Sequence, residues 1–514
     1  MKAIGLLKSL SIKSMFIWAA ILLQVGCQTS PQYPDKTSTF KLATQTQSVL
    51  SQYVAADLQA NPDLTGVVPL IDGVDAFIAR LALVNAATTS IDLQYYIYRA
   101  DESGRLLLWH LMDAAERGVR VRILLDDMAT KDADNTLLLL AMHNNIDVRL
   151  YNPSFERHFR NLAFISSFSR LNHRMHNKSL TVDNSITVVG GRNIGNEYFS
   201  NNTDVDFGDF DLMAIGEVVD DVSDQFDLYW NAPLTVEINA LVEGKATELE
   251  LAQAMVVVDS AKVEYQDNPY MKRLLSSQLI QKMANHSLPW YWGQAKLIYD
   301  QPDKQNHQLD SDSILANLGA FLSQANQEVL IVSPYFVPTR AGANNLIAAV
   351  EKGIKVTILT NSLAATDVLA VHAGYRTYRQ RLLESGVRIF EVKANLELKR
   401  SSSWTGSSKS SLHAKTFIID KHSLFVGSFN FDPRSAWLNT EMGLIIRNRE
   451  LASEVVNGIG ESLAANTYRL SIRDEEIVWH DDSKQREIYT EPDAGLWRKF
   501  LVDCIALLPI ESQL

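Results

Sequence analysis

The chain has 514 residues, 46% of them hydrophobic, with two cysteines. That length and apolar content exclude a short disulfide-stapled module and a wholly disordered chain, and they allow two or more domains, each with its own core. Sixty acidic residues against 48 basic ones give a net charge of −12, which argues against a nucleic-acid partner gripped along its backbone.

Residues 1–27 have the layout of a bacterial export signal. Lys2, Lys8 and Lys13 precede the apolar run Met15–Leu23, and the segment ends Gln24-Val25-Gly26-Cys27. The ending resembles a lipobox, with Gln24 where such boxes usually carry Leu, and makes Cys27 the candidate lipidation site. In that reading Cys27 becomes the mature N-terminus, Gln28 onward is a polar tether, and Gln28 in place of Asp resembles the signal for passage to the outer membrane. The competing reading keeps the segment as an uncleaved inner-membrane anchor, because Ile4 to Val25 nearly spans a bilayer if Lys8 and Lys13 snorkel. Both readings place the body of the protein outside the cytoplasm, facing the periplasm and tethered to a membrane.

Residues 28–59 are expected to form a polar linker and lead-in, 60–260 a first domain and 261–514 a second. In the first, the β-branched and aromatic run Thr88–Tyr98 predicts a strand, Gly104–Glu116 a helix and, after Gly118, Val119–Asp126 a second strand. Asn145–Tyr151 predicts a third. The same grammar returns as a strand in Glu328–Phe336, a helix in Asn344–Glu351, Gly353, a strand in Ile354–Thr360, a helix in Tyr375–Glu384 and a strand in Gly386–Phe390. Gly118 and Gly353 are 235 residues apart. Short strands alternating with helices, in two copies, imply a duplicated α/β architecture. Leu288-Pro289-Trp290-Tyr291-Trp292 is either an aromatic surface touching lipid or a Trp-rich helix start packed into a core. Ser401–Ser408 is expected to be a flexible loop, and Leu501–Leu508 a packed terminal helix.

Two polar constellations stand out. His176, Lys178 and Asp183 are followed by Gly190, Gly191 and Asn193; His413, Lys415 and Asp420 are followed by Gly427, Ser428 and Asn430. His, Lys, Asp and Asn fall at offsets 0, 2, 7 and 17 in both, and the two sets are 237 residues apart, nearly the separation of the surrounding repeat. Packing alone does not place two polar sets in register with a structural duplication. On a strand, residues i and i+2 face the same way, so each His points with its Lys. Asp183 and Asp420 lie beyond, at a turn, where each is expected to accept a proton from an imidazole or a neighbouring group. If the halves face each other, two imidazoles, two ammoniums and the amides of Asn193 and Asn430 converge on one small anion. A phosphodiester fits, because its oxygens need stabilising as phosphorus becomes five-coordinate and its alkoxide leaving group needs a proton. One histidine attacks while the other protonates, and the spacing does not order them. The lysines fill the role of a divalent ion and would repel one, so no metal and no other cofactor is expected.

These motifs, with Leu171–Lys178, Gly190–Gly195 and Leu412–Lys415 through Phe431–Ser435, resemble the phospholipase D superfamily, and more narrowly its bacterial cardiolipin synthase branch. The resemblance covers about residues 60–510. It implies a duplicated α/β/α sandwich, two mixed β-sheets with flanking helices and the active site between the halves. It also implies a metal-free mechanism, with His176 as nucleophile and His413 as leaving-group acid and later base. Glu197 and Glu441 match acidic residues after the motifs, though at different offsets, and with Ser428 they are candidate supporting residues. The implied reaction transfers a phosphatidyl group from phosphatidylglycerol or phosphatidylethanolamine to phosphatidylglycerol through a phosphohistidine. Hydrolysis to phosphatidic acid is the rival reaction, and a noncatalytic lipid-binding envelope lipoprotein the rival of another class. With both motifs in one chain, no obligate dimer is implied.

Asp204, Asp206, Asp209 and Asp211 lack the loop length and terminal Glu of an EF-hand and are read as a strand edge and turn. Arg157, His158, Arg160, Arg170, His173 and Arg174 are either a site for anionic lipid headgroups or solvated surface.

Overall fold

The computed structural model describes residues 33–130, 133–202, 206–242, 246–265, 267–307, 310–394 and 410–514. The export segment with Cys27, Asp204 and the serine-rich loop lie outside the described residues.

The first half supplies strands β1 (Thr65–Leu70), β2 (Ser90–Tyr95), β3 (Arg120–Asp126), β4 (Ile146–Tyr151), β5 (Ser179–Val182), β6 (Ile186–Gly190), β7 (Asp206–Gly208), β8 (Asp211–Gly216) and β9 (Thr235–Glu237). The second supplies β10 (Tyr291–Tyr299), β11 (Glu328–Val332), β12 (Lys355–Asn361), β13 (Arg388–Val392), β14 (Ser410–Leu412), β15 (Thr416–Ile419), β16 (Ser423–Gly427), β17 (Met442–Arg447), β18 (Thr467–Arg473), β19 (Glu476–Asp481) and β20 (Arg486–Ile488). Their pairings run β9-β4-β3-β2-β5-β6-β8-β1 in the first half and β18-β13-β12-β11-β15-β16-β17-β10 in the second. Each of these eight first-half positions is thus answered in the second half, whose sheet continues past β18 to β19 and β20. β2, β3 and β4 are parallel, as are β11, β12 and β13, with helices making the crossovers; β5 and β15 join antiparallel. The two mixed sheets read from the sequence are continuous, because β1 pairs with β10 through Thr65↔Gly293, Gly66↔Trp292 and Val67↔Tyr291.

Local chemistry accounts for the units. Asp101 caps the helix Glu102–Glu116 by accepting from the Gly104 amide, and Leu106, Leu107 and Leu111 turn its apolar face onto the sheet. Gly118 stops it with φ +91°, as Gly353 stops the helix Thr339–Glu351 with φ +86°, a conformation costly for any residue with a Cβ. Leu93 on β2 and Leu180 on β5 are fully buried in the same core, and burying such a side chain is worth about 1.5–3 kcal/mol. A second core repeats this arrangement around Ile331, Ile358 and Phe417. A third joins the halves, with Val189, Leu212 and Ala214 of the first sheet meeting Leu424, Val426 and Leu444 of the second.

Three expectations change. Tyr270, Leu274 and Leu279 are buried in the first core, so the helices Pro269–Leu275 and Gln278–Ala284 pack with the first half, because they carry apolar residues that cover it. Trp290 and Trp292 start no helix. Trp292 is the second residue of β10 and lies against Gly66, where an added Cβ would come within 2.9 Å of its ring, and both indoles pack partly buried on the first core. The terminal helix is Leu496–Ala506, and it is packed on one side only. Among the described residues no helix is long and apolar enough to cross a membrane.

Candidate active site

His176 and Lys178 immediately precede β5, and His413 and Lys415 precede β15. Each lead-in is tied to the opposite half: the His176 amide donates to the Thr440 carbonyl and the His413 amide to that of Gly208, both at 2.8 Å. Both imidazoles line one cavity of about 400 Å³, together with Asn193, Asn430, Tyr96 and Tyr198. The Tyr96 ring stands edge-on to His176 at 5.0 Å, and Tyr198 stands likewise against His413 at 5.2 Å.

The orienting carboxylates cross between halves. His176 Nδ1 lies 2.8 Å from Glu441 Oε2, and His413 Nδ1 lies 2.5 Å from Asp209 Oδ2. With Nδ1 engaged, Nε2 is the ring nitrogen left for a substrate. Ser428 Oγ donates to Glu441 Oε2 and Ser435 Oγ to Oε1, at 2.5 and 2.7 Å, fixing that carboxyl. Sheet register shows that Asp209 and Glu441 are equivalent: Gly190 pairs with Asp211 and Gly427 with Gly443, and each acid stands two residues before the latter. The first half spends five more residues between those partners, on the excursion that contains β7, and this shifts the sequence offset. Asp209, read as strand edge, is therefore the counterpart of Glu441. Glu197 instead pairs with Arg99 at 2.5 Å. The signal was an acid two residues before the residue that pairs with the hairpin's last glycine, Gly190 or Gly427.

Lys178 Nζ donates to its own motif's His176 carbonyl at 2.6 Å, and Lys415 Nζ to that of His413. Both lysines are almost wholly buried behind the imidazoles. Burial, with Lys415 nearby and only partly offset by Glu441, brings the Lys178 ammonium down to about 7; burial brings that of Lys415 to about 8, against the pull of Asp209 and Glu441. Burial and the two ammoniums hold His176 well below the usual imidazole range. Burial and Lys415 also lower His413, while Asp209 opposes them. The two carboxyls differ. Burial lifts Glu441 to about 7, whereas for Asp209 the burial cost is outweighed by His413 and Lys415, which hold it below the usual carboxylate range. Four groups able to carry positive charge in one dry place, against two carboxyls of which only Asp209 is held ionised, make a site complementary to an anion.

The family described as "Cardiolipin synthase, PLD-like domain" matches residues 81–230 and 318–461, one segment in each half. The chain belongs to that family. Among its relatives, cardiolipin synthase C of Escherichia coli (strain K12) is 42% identical over 458 residues, 88% of this chain and 96% of that protein. An uncharacterized protein of Helicobacter pylori (strain ATCC 700392 / 26695) is 31% identical over 481 residues, covering 93% and 95% of the two chains. The crystal structure of phosphatidylserine synthase from Haemophilus influenzae Rd KW20 superposes with a TM-score of 0.58 at 13% identity, over 90% of this chain and 100% of that one, a likeness of fold.

Within this PLD-like frame the other expected site residues divide. Asn193 and Asn430 both reach the cavity. Asn193 is held by the Ile97 amide at Oδ1 and by the Tyr198 hydroxyl at Nδ2, whereas Asn430 Oδ1 is buried with no partner among the described residues. Asp183 and Asp420 do not meet the imidazoles. Asp183 accepts from the amides of Thr88, Thr89 and Ser90 and from both threonine hydroxyls. Asp420 accepts from the amides of Asn326, Gln327 and Glu328. Each sits at positive φ, as does its successor (Asn184 or Lys421), at the tip of the β5–β6 or β15–β16 hairpin, and ties that tip to the start of the neighbouring strand. The arginines of the basic cluster are already engaged within the chain: Arg157 and Arg160 are paired with Asp127 and Asp134, Arg174 with Asp126, and Arg170 donates to Asn152 and the Pro153 carbonyl. Asp211, likewise, is buried between Arg80 and Arg192.

Proposed function

We propose that this protein is a cardiolipin synthase, a phosphatidyltransferase that moves a phosphatidyl group from phosphatidylglycerol or phosphatidylethanolamine to phosphatidylglycerol. The observation that carries the reading is the crossed pair: two imidazoles on one cavity, each oriented by a carboxyl of the other half. Membership of the cardiolipin synthase family supports it.

The unequal carboxyls support the order of roles that the family resemblance implies. His176 is neutral, beside a carboxyl near 7, and its free Nε2 pair attacks phosphorus. As the bond from phosphorus to the headgroup oxygen breaks, His413, supported by ionised Asp209, gives its proton to that oxygen and releases glycerol or ethanolamine. Lys178 and Lys415 supply positive charge as it develops on the non-bridging oxygens, and Asn193 and Asn430 supply amide dipoles. In the second half of the cycle, neutral His413 takes the proton from a glycerol hydroxyl of phosphatidylglycerol. That oxygen attacks phosphorus, the bond to His176 breaks and cardiolipin leaves. Water in the acceptor's place gives phosphatidic acid. The export signal and Cys27 support a place on the periplasmic side of the envelope, tethered by a lipid or by the retained segment.

The test is incubation of purified protein with phosphatidylglycerol and phosphatidylethanolamine, separately and mixed, with products identified by mass. Cardiolipin is the expected product. Abundant phosphatidic acid with no cardiolipin in any mixture would make the enzyme a hydrolase.

A further inference from the structure

The helix Leu496–Ala506 packs on the helix Leu369–Glu384 through Val502 and Ile505. Its other face is apolar and bare: Leu496 is 85% exposed, Trp497 77% and Phe500 55%, and Leu507 just beyond the helix is 85% exposed. With Leu501, Cys504 and Leu508, also exposed, they follow the spacing of a single helical face. The chain just beyond this face reaches the cavity. Gln513 and Leu514 line the cavity, as do Val368 and Val371 at the start of the partner helix. Across the rim, Asn172 Nδ2 donates to Gln513 Oε1 at 2.9 Å. Asn172 follows the short helix Phe168–Leu171, and Phe159, Ile165 and Phe168 there are 68%, 73% and 45% exposed.

We propose that these two apolar elements seat the protein on a phospholipid bilayer with the cavity mouth against it. The proposal rests on the phosphatidyl-transfer reading, and the substrate's own chemistry argues for the occupant. A cavity of about 400 Å³ takes headgroup and phosphate but not the acyl chains of two lipids, and each methylene drawn into water lowers the population of the withdrawn lipid about fourfold. The chains therefore stay in the membrane, and the mouth must meet it. An apolar rim beside that mouth is the surface that does so, with its indole and phenyl rings at headgroup depth.

The full chain carrying Cys27→Ser leaves Cys504, on the bare face, as the single thiol for an environment-sensitive fluorophore. On vesicles of phosphatidylglycerol and phosphatidylethanolamine the label is expected to shift to the blue and to be quenched by lipids brominated near the headgroup. In parallel, Trp497→Ser with Phe500→Ser is expected to slow conversion of vesicle phosphatidylglycerol about tenfold or more and to leave conversion of water-soluble, short-chain phosphatidylglycerol unchanged. A label that stays in water on vesicles overturns the proposal. So does a label shielded before vesicles are added, which means another part of the chain covers the face, or one shielded by raising protein concentration alone, which means a second copy does. An equal loss on both substrates also overturns it. A vesicle-dependent shift in a protein that makes no cardiolipin supports the docking surface and refutes the proposed chemistry, so the two readings fail separately.

Discussion

Replacing Glu441 by Gln keeps the shape of a fully buried side chain and removes its ability to act only as an acceptor. In the wild type, Oε2 faces His176 Nδ1 at 2.8 Å and keeps the ring proton there, so that Nε2 carries the free pair. A glutamine whose oxygen takes the place of Oε1 still accepts from Ser435, and its NH2 then stands where Oε2 was, facing both the imidazole and Ser428 Oγ. Nδ1 must then accept, and the proton moves to Nε2, where it blocks attack. Losing one buried charge-assisted bond costs about 1.5–3 kcal/mol, and populating the wrong tautomer adds a comparable amount, about 4 kcal/mol together, or a fall in kcat of about 10³-fold. Folding should hardly notice, because Ser428 Oγ also bonds with the Met442 amide and carbonyl, and Ser435 Oγ accepts from the Asn430 amide. The assay is the initial rate of cardiolipin formation from phosphatidylglycerol vesicles, with thermal melting as control. A variant that melts like the wild type and keeps a kcat close to it would refute the crossed-pair reasoning.

Four more predictions test the site. Asp209→Asn and His413→Ala should be slow on natural headgroups but recover on a phosphatidyl ester of p-nitrophenol, whose leaving group needs no proton; His176→Ala should not recover and should trap no phosphatidyl enzyme, and the opposite pattern would exchange the two roles. Asp183→Ala should destabilise the fold by about 3 kcal/mol, because five donors lose one carboxylate, with the kcat of the folded fraction unchanged; the more exposed Asp420→Ala should cost less, and denaturant titration measures both. In a pH series, kcat/KM should fall on the acid side only below the ordinary imidazole range, as His176 takes a proton, and on the alkaline side first as His413, itself lowered by burial and Lys415, loses the proton it must give, then as Lys178 and Lys415 lose theirs through about 7 and 8; bound phosphodiester favours the charged form of all three, so the alkaline limb of kcat should lie at higher pH, and coincident limbs would count against that reasoning. A chelator should leave the rate unchanged, because ammoniums and not a divalent ion carry the charge; a loss restored by adding a metal would overturn that.

The repeat was legible because duplication leaves the same punctuation twice: Gly118 and Gly353 close equivalent helices, and His-Lys pairs lead into β5 and β15. The orienting acids were half legible. Glu441 was named by resemblance, but its counterpart was sought at Glu197, because sequence offsets are blind to the longer first-half excursion that only strand register exposes. That each acid serves the opposite half's imidazole is a tertiary fact with no local trace. Of the two partners open to Asp183, simple geometry excludes the imidazole of its own motif, since seven residues of extended chain span about 23 Å, and the neighbouring Thr88–Ser90 segment is the one it takes. The arginines near residue 160 read as free surface because their partners, Asp127 and Asp134, come from a different turn.

The exchange of carboxyls between halves has a consequence for how such a protein can change over generations. A lesion confined to one copy of the repeat disables the ring belonging to the other, so neither copy can drift while its twin keeps the activity alive. Duplication ordinarily frees a spare; here it yoked the two, and selection can only act on them as one inheritance.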